Sequence, residues 1–340
     1  MIGHAILFEA AGRAVLQAVD VTPPGPGQVL IENAYTVVSA GTERANLMQL
    51  PNTVTAGNGF PHAPGYSGAG RVIAVGEGVA ELAVGDRVVV NWGGHRSHTL
   101  KMAAETLKIE NAAIDLFDAA FAPIAAFPML GVRKLRIELG ESVMVAGLGI
   151  LGVFAVQFAA LCGAVPVLAA DFDPERRALA AKLGAAAALS PGETDFVDRI
   201  QTLTDGHGPN AVVEVTGSAR ALQQALEYIA WEGRIALLGC TRVSDVPIDF
   251  YQYVHRRGIS LIGAHTFTRA KLESAPGRWT ELDDYRVFLK LVAAKKVQTR
   301  PLVSEIVSPL AAADIYDRLA ANPHPPLGIV FDWTAGACPS

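Results

Sequence analysis

The chain has 340 residues, more than a single compact core usually holds, so two domains are expected. Hydrophobic residues make up 51% of the sequence, enough for a large core, and the formal net charge of −5 argues against a nucleic-acid surface. The three cysteines, Cys162, Cys240 and Cys338, have the spacing of neither a disulfide framework nor a thiolate metal cage, which suits a reducing compartment.

The chain start and the apolar runs argue against export and against a membrane span. The first residues lack a basic segment and reach Glu9 early, so no signal peptide is expected. Charges, Pro or Gly interrupt every long apolar run. We therefore expect a cytoplasmic protein that acts on a small molecule, with neither nucleic acid nor membrane as a partner.

The first third of the chain has a β-rich pattern. Short apolar and β-branched runs alternate with Gly and Pro turns, such as the Pro-Pro-Gly-Pro-Gly run at 23–27. The runs predict strands at 5–8, 29–34, 71–75 and 87–90, with one short helix near 44–50.

The middle of the chain alternates between strand and helix patterns. An alanine-rich helix is predicted over 118–135, where Pro123 and Pro128 predict a kink or two short helices. The strands predicted after it are 142–146, 165–170, 211–215, 233–238 and 260–262, and the helices are 153–161, 174–183, 194–204 and 219–230. This alternation predicts a parallel sheet covered on both faces. After 264 it stops, and helices over 283–294 and 308–321 precede a last strand over 327–331.

A Gly-x-Gly-x-x-Gly turn joins the first strand of this region to its helix. It consists of Gly147, Leu148, Gly149, Ile150, Leu151 and Gly152. Gly147 permits the tight turn, Gly149 lets the backbone approach a pyrophosphate, and Gly152 lets helix and strand pack closely. N–H groups at the helix start would meet the pyrophosphate charge. In this context the turn predicts a dinucleotide site rather than a tight turn without a ligand.

The acid expected at the end of the second strand is Asp171, 19 residues after Gly152. Its carboxylate can accept hydrogen bonds from the ribose hydroxyls of NAD and would repel the 2′-phosphate of NADP. Arg176 leaves an alternative open, since it could stack on adenine or partly compensate that phosphate. We predict NAD as the cofactor, with NADP less favoured.

Three segments together carry a family resemblance. They are Ser-Ala-Gly-Thr-Glu at 39–43, Pro-Gly-Tyr-Ser-Gly-Ala-Gly-Arg-Val at 64–72 followed by Val-Gly-Asp-Arg-Val at 84–88, and the glycine turn. Over almost its whole length the chain resembles the medium-chain dehydrogenase/reductase superfamily, the relatives of zinc alcohol dehydrogenase and quinone reductase. The resemblance implies an α/β fold: a Rossmann doubly wound parallel sheet plus a discontinuous, β-rich GroES-like catalytic domain.

The same resemblance sets the expected domain boundaries and assembly. It implies a catalytic domain formed by 1–124 and 266–340, a Rossmann NAD-binding domain over 125–265, and a substrate cleft between the two. Family members often dimerise along the sheet edge that 260–262 would form, so a homodimer is expected.

The departures from the family pattern concern zinc. Zinc-dependent members carry a cysteine where this chain has Ala40, and His-Glu where it has Tyr66-Ser67. The four-cysteine structural zinc lobe is also missing. Because His95 and His98 lack a matching acid or thiol, we weigh a metal site there as the weaker alternative. We predict a member of the family without zinc.

Without zinc, a protonic group must stabilise the oxygen that gains charge during hydride transfer. By resemblance, Thr42 is the hydroxyl beside the reacting oxygen, and Tyr66 takes the place of a zinc-binding histidine, with its phenol pointing into the cleft. Glu43 and His62 are close in sequence, and His95 is a candidate for the same wall. These five residues are the predicted catalytic set.

Each of these residues has a plainer alternative role. Tyr66 could be a packing aromatic that fills the space of the lost zinc, and His62, between two prolines, could only shape its loop. Thr42 could cap the backbone, and Glu43 could be a solvated or helix-capping acid.

Residues at later strand ends are expected on the nicotinamide side of the cofactor. By resemblance these are Thr216, Gly239, Cys240 and His265. Cys240 is expected to pack rather than act as a nucleophile, because no base is marked for it.

Three functions remain in view. The first is a zinc-independent, NAD-dependent oxidoreductase of a secondary alcohol or ketone, with a sugar, polyol or other hydroxylated ring as substrate. The second is an NAD(P)H-dependent enoyl or quinone reductase, which zinc loss fits well and Asp171 fits poorly. The third is a protein that binds NAD(H) without turnover.

Overall fold

The structure, a computed structural model, describes residues 1–322 and 325–335. Contacts divide the chain into two units. The first unit comprises Met1–Ile124, Asp284–Lys295 and Thr299–Ser340, as far as these are described, and the second comprises Ala125–Asp283 and Lys296–Gln298. Cys338 lies outside the described residues, as does the end of the expected catalytic segment 266–340.

The division after Ile124 lies at the expected boundary, whereas the expected return to the first domain at 266 is too early. Residues 266–283 belong to the second unit. Two contacts explain this. The Arg269 guanidinium donates to the carbonyl oxygen of Ala126 at 2.5 Å, and the Arg133 guanidinium lies 3.9 Å from the centre of the Trp279 ring.

The strands and α-helices of the N-terminal part follow one another in this order: β1 (Ile2–Ala10), β2 (Arg13–Asp20), β3 (Gln28–Val37), α1 (Ala40–Leu47), α2 (Val54–Asn58), β4 (Ser67–Val75), β5 (Arg87–Asn91), β6 (His98–Met102), β7 (Leu107–Lys108), α3 (Leu116–Ala119) and α4 (Ala122–Leu135).

The remaining strands and α-helices are β8 (Val143–Ala146), α5 (Ile150–Leu161), β9 (Val167–Ala170), α6 (Pro174–Lys182), β10 (Ala187–Leu189), α7 (Phe196–Leu203), β11 (Ala211–Glu214), α8 (Ala219–Tyr228), β12 (Arg234–Leu237), β13 (Ser260–Gly263), α9 (Glu281–Ala293), β14 (Glu305–Val307), α10 (Ala312–Ala321) and β15 (Ile329–Asp332).

The described residues of the first unit form two β-sheets. β1 and β2 form an antiparallel hairpin, and within the described residues a second sheet runs β14-β15-β3-β4-β5-β7, with β6 also paired to β3. Val29 and Ile31 are two residues apart on β3 and therefore share a face. There they pack in one buried cluster with Val72, Val88 and Val90. The four predicted strands of this region all lie within observed strands.

The second unit contains a parallel sheet in the order β10-β9-β8-β11-β12-β13, counted over the described residues. Each inner strand contributes a buried residue to one core cluster, for example Met144, Leu168, Val212 and Ile235. The order reverses between β8 and β11, which is where doubly wound sheets bind ligands at the carboxyl ends of their strands. The predicted fold class is confirmed.

One local prediction is confirmed, and one differs from the structure. The alanine-rich region forms two helices, α3 and α4, which is one of the two predicted outcomes. Pro123 lies in the first turn of α4, where no N–H is needed, and Pro128 lies inside that helix. α1 begins earlier than predicted because the Glu43 carboxylate accepts the Ser39 N–H at 2.7 Å. None of the described helices is long and apolar enough to cross a membrane.

Candidate active-site residues

The glycine turn lies at the switch point of the sheet, between β8 and α5. Gly147 has a φ of +95°, which favours glycine, and a Cβ there would lie 2.8 Å from the Thr216 side chain. A Cβ on Gly152 would lie 1.9 Å from the Gly147 carbonyl oxygen, whereas one on Gly149 would face open space. Leu148 and Ile150 are buried, and Leu151 is partly exposed. The turn therefore offers open space beside the N-terminus of α5, which fits a pyrophosphate.

Asp171 is tied to this turn. One carboxylate oxygen accepts the Leu148 N–H at 2.7 Å, and the other accepts the Asp173 N–H at 2.9 Å. Arg176 is engaged by Asp173, the N-cap of α6, with 3.7 Å between Nε and Oδ2. Arg177, which is not among the predicted residues, donates to the carbonyl oxygens of Asp171 and Phe172, at 2.8 Å each. Asp171 is thus held beside the turn, with lone pairs left for ribose hydroxyls.

Glu214 is not among the predicted cofactor-binding residues. It is fully buried at the end of β11, where one oxygen accepts the N–H and the hydroxyl of Thr216, and the other accepts the Gly217 N–H at 3.3 Å. Burial raises the pKa of this carboxyl, against the lowering effect of its bonds to Thr216 and Gly217. An acid that ends a buried parallel strand at the binding edge was the signal available.

Glutamine at position 214 should weaken cofactor binding. In Glu214→Gln an amide N–H faces a backbone N–H, so at least one hydrogen bond to the turn is lost. We expect the Kd for NADH, measured by fluorescence titration, to rise roughly tenfold. Glu227→Gln, an exposed acid on α8, is the matched control and should leave Kd unchanged. Equal NADH affinity in both variants would remove Glu214 from the cofactor site.

The other residues predicted on the nicotinamide side are only partly brought together. A Cβ on Gly239 would lie 2.3 Å from the Gly217 nitrogen, and one on Gly217 would lie 2.7 Å from the Cys240 carbonyl oxygen. Thr216 and Cys240 are exposed beside them. His265 follows β13 and is exposed, with Nδ1 accepting the Phe267 N–H at 3.2 Å.

In the first unit, Tyr66 is buried, with 7% of its surface exposed. Its phenol oxygen donates to Ser39 Oγ at 2.8 Å, and its ring centre lies 5.1 Å from that of Trp92. Trp92 is 53% exposed and has a φ of +52°, an uncommon conformation for such a residue. The phenol predicted to point into a cleft is thus held from inside the unit by Ser39, the residue before α1.

Glu43 and His95 form a buried pair, and two interpretations from the sequence are corrected. Glu43 is 2% exposed, so it is not a solvated acid. His95 is fully buried and lines no open wall. The His95 Nε2 atom lies 3.1 Å from Glu43 Oε2, and Tyr316 Oη donates to the same oxygen at 2.5 Å. The interpretation from local sequence failed because these partners come from three distant segments.

The electrostatics of this pair follow from its contacts. Burial alone would raise the pKa of the Glu43 carboxyl, but His95, Tyr316 and the Ser39 N–H together lower it below its usual value. Burial and the Glu43 charge raise the pKa of Tyr316 well above that of a free phenol. Glu43 is therefore an ionised carboxylate surrounded by hydrogen-bond donors.

Thr42 and His62 occupy different surroundings. Thr42 is exposed on α1, whose N-cap is Ser39, so its hydroxyl is not the cap. His62 is half-buried and exchanges backbone hydrogen bonds with Phe8 at 2.8 and 2.9 Å. Burial lowers the pKa of its imidazole, and the nearby Glu43 charge offsets only part of that lowering. The backbone pairing fits the loop-shaping alternative for His62.

The residues at the family's zinc positions do not fit a zinc ion. Ala40 has no donor atom, and the Tyr66 phenol is bonded to Ser39. His98 bonds to Ser97 while His95 pairs with Glu43, so the two histidines do not converge. Over the described part of the chain, no group of three or more His, Cys, Asp or Glu side chains could hold a metal.

Comparisons with known proteins add to this geometry. Residues 25–132 match the alcohol dehydrogenase GroES-like domain family, and residues 151–281 match the zinc-binding dehydrogenase family. An L-threonine 3-dehydrogenase of Pyrococcus abyssi is 30% identical over 282 residues, which cover 74% of this chain and 79% of that protein. The D-guloside 3-dehydrogenase of Escherichia coli K12 is 30% identical over 215 residues, 62% of this chain and 60% of that protein.

The solved structures include a zinc-binding dehydrogenase from Sinorhizobium meliloti 1021 bound to NADP. It is 21% identical, has a TM-score of 0.82, and aligns with 98% of this chain and 99% of its own. That likeness shows the fold. With the sequence relatives and the glycine turn, it leads to one conclusion: the chain belongs to the medium-chain dehydrogenase/reductase superfamily and is a dehydrogenase that acts on CH–OH groups with a nicotinamide cofactor.

Proposed function

We propose that this dehydrogenase oxidises a secondary alcohol of a sugar, polyol or other hydroxylated ring with NAD, without zinc, and that Tyr66 transfers the proton. One observation carries the proposal. At the family's zinc position stands a buried phenol bonded to Ser39, and no set of metal-binding side chains lies among the described residues.

The preference for NAD rests on Asp171. Its carboxylate is fixed by the N–H groups of Leu148 and Asp173, so it would present a negative charge to the adenosine ribose. Arg176 is engaged by Asp173 and is thereby drawn away from compensating a 2′-phosphate. The Sinorhizobium protein is bound to NADP, which favours the opposite cofactor, so the assay below includes both NAD and NADP.

Proton transfer is assigned to Tyr66 in both directions. A bound nicotinamide would supply or accept the hydride. During reduction the Tyr66 phenol donates its proton to the developing alkoxide, and during oxidation the phenolate accepts the hydroxyl proton. In this structure Ser39 Oγ accepts the single phenol proton, so during reduction the O–H would turn from Ser39 to the alkoxide, and the Ser39 hydroxyl would then donate to the phenolate.

The substrate class rests on one relative and one surface. The relative is named for action on a guloside, a sugar derivative. The surface is the exposed Trp92 ring beside Tyr66, whose flat apolar face suits the C–H face of a sugar or polyol ring.

A spectrophotometric panel tests this function. NAD and NADP are each supplied with sugars, polyols and simple secondary alcohols, and NADH and NADPH with enones and quinones. We expect NAD reduction by a ring or chain polyol, followed through nicotinamide absorbance. Turnover confined to enones or quinones would assign the protein to the reductase branch, and NADH binding without any turnover would make it a binding protein.

We also propose that the protein is a cytoplasmic homodimer. β13 is an edge strand of the sheet in the described structure, and Leu261 and Ile262 on it are only partly buried. An edge strand leaves backbone groups available for pairing with a second copy. Light scattering coupled to gel filtration should give twice the chain mass, and a monomer mass would contradict the dimer.

A further inference from the structure

A continuous set of hydrogen bonds runs through the interior of the first unit. We call its members the Glu43 cluster: Thr36, Ser39, Glu43, His95, Tyr316 and Trp333. All but Trp333 are at most 4% exposed. They come from β3, α1 and its N-cap, the loop before β6, α10 and the residue after β15.

One tautomer of His95 gives a consistent set of hydrogen-bond directions through the cluster. The Trp333 indole N–H can only donate, so Thr36 Oγ1 accepts it at 2.9 Å. The Thr36 hydroxyl proton can then go to His95 Nδ1 at 2.8 Å, which leaves the proton on Nε2 for Glu43. In this arrangement Glu43 receives three donors: His95, Tyr316 and the Ser39 N–H.

Core packing alone does not account for this arrangement. A buried carboxylate is costly to desolvate, and apolar residues of the same volume often stabilise a core equally well or better. The cluster ends on one side at Ser39, and Ser39 Oγ is the atom that accepts the Tyr66 phenol. Glu43 is therefore two hydrogen-bonded links from the phenol, through a residue whose backbone it fixes.

Building on the role proposed above for Tyr66, we infer that the Glu43 cluster holds Ser39 so that its Oγ keeps the Tyr66 phenol oriented for proton transfer. Glu43 and His95, both expected from the sequence to be catalytic, become positioning residues, as does Tyr316. Ser39 is the connecting residue, because its N–H donates to the Glu43 carboxylate and its hydroxyl oxygen accepts from the Tyr66 phenol. Because Tyr316 donates to Glu43 from outside the Tyr66 contact, this positioning can be tested without changing Tyr66.

The test compares two buried tyrosines of the first unit. Tyr316→Phe removes one hydrogen-bond donor from Glu43. Tyr285→Phe is the control: Tyr285 lies on α9, outside the cluster, and is 1% exposed, compared with 0% for Tyr316. Glu43→Gln is the stronger variant, and the Phe variants serve if it fails to fold. Protein labelled with ¹³C at tyrosine Cζ reports the state of each phenol, and the Tyr66 signal is assigned by its loss in Tyr66→Phe.

We expect Tyr316→Phe and Glu43→Gln to shift the Tyr66 Cζ resonance, and Tyr285→Phe to leave it in place. With the best hydroxyl substrate of the wild-type panel, Glu43→Gln should lower kcat roughly tenfold, while KM and the Kd for NADH stay within about twofold. Ser39→Ala should lower kcat as well, and the double variant should lose no more than the larger single loss, since both act through one contact.

The outcomes separate this inference from the proposed function. If Tyr66→Phe lowers kcat but the cluster variants match Tyr285→Phe in resonance and rate, the inference alone is wrong. A shifted resonance with unchanged kcat also overturns it, because the contact then has no catalytic consequence. If Tyr66→Phe itself leaves kcat unchanged, the proposed role of Tyr66 is wrong and the inference falls with it.

Discussion

Phenylalanine at position 66 is expected to lower kcat by about 100-fold or more, because a positioned proton donor contributes on that scale. The ring and its packing against Trp92 are kept, and only the hydroxyl that donates to Ser39 is lost. The Kd for NADH should not change, since the glycine turn and Asp171 belong to the second unit. Steady-state kinetics and a fluorescence titration of NADH give the two quantities.

Tyr35→Phe is the matched control for this variant. Tyr35 lies on β3 of the same unit, and its ring packs edge-on against Phe117. Tyr35→Phe should leave kcat within about twofold of the wild-type value, because the lost hydroxyl lies outside the proposed site. Equal kcat in Tyr66→Phe and Tyr35→Phe would remove Tyr66 from the mechanism and make it a packing aromatic.

Alanine at position 171 is expected to change cofactor choice. Loss of charged hydrogen bonds to the ribose should raise the Kd for NADH about tenfold or more, and loss of the negative charge should relax the rejection of NADPH by a similar factor. The turn also loses the contact to the Leu148 N–H, so some affinity for both cofactors is lost together. The ratio of the two Kd values isolates the charge effect.

Glu175→Ala controls for the charge removed. Glu175 is an exposed acid in the first turn of α6, and its side chain takes no part in holding the glycine turn. Its removal should leave the NADH to NADPH ratio unchanged. If Asp171→Ala and Glu175→Ala give the same ratio, the selection of NAD does not come from Asp171, and Arg176 becomes the residue to change next.

The parts of the fold that local sequence encodes were predictable. The strands and the helix around the glycine turn are almost continuous apolar runs, and Gly147 marks a backbone conformation that other residues avoid. The short strands β6, β7, β10 and β14 were missed, because a few residues in a strand carry little pattern of their own. The longer strand β2 was also missed; most of its residues are exposed or only partly buried. The return of the chain at 284 was also missed, since it depends on long-range contacts such as the one between Arg269 and Ala126.

The candidate site also has a part that local sequence predicts and a part that depends on long-range contacts. Asp171 follows the turn at a fixed spacing, so it could be selected from sequence alone. Glu43 and His95 were selected, but their contact joins residues 52 apart, and Tyr316 joins them from 273 residues away. No local pattern announces such a pair, and a lone acid at a helix start is usually solvated. Only the folded chain shows that these side chains hold each other.

Metal dependence tests the central claim most directly. The protein is treated with EDTA and 1,10-phenanthroline, desalted, and assayed for NAD reduction with the best hydroxyl substrate, while its zinc content is measured by mass spectrometry of the metal. A zinc-independent enzyme keeps its full kcat with only a small fraction of one zinc ion per chain. Loss of NAD reduction on chelation, restored by added zinc, would contradict the account and place a metal where Tyr66 is proposed to act.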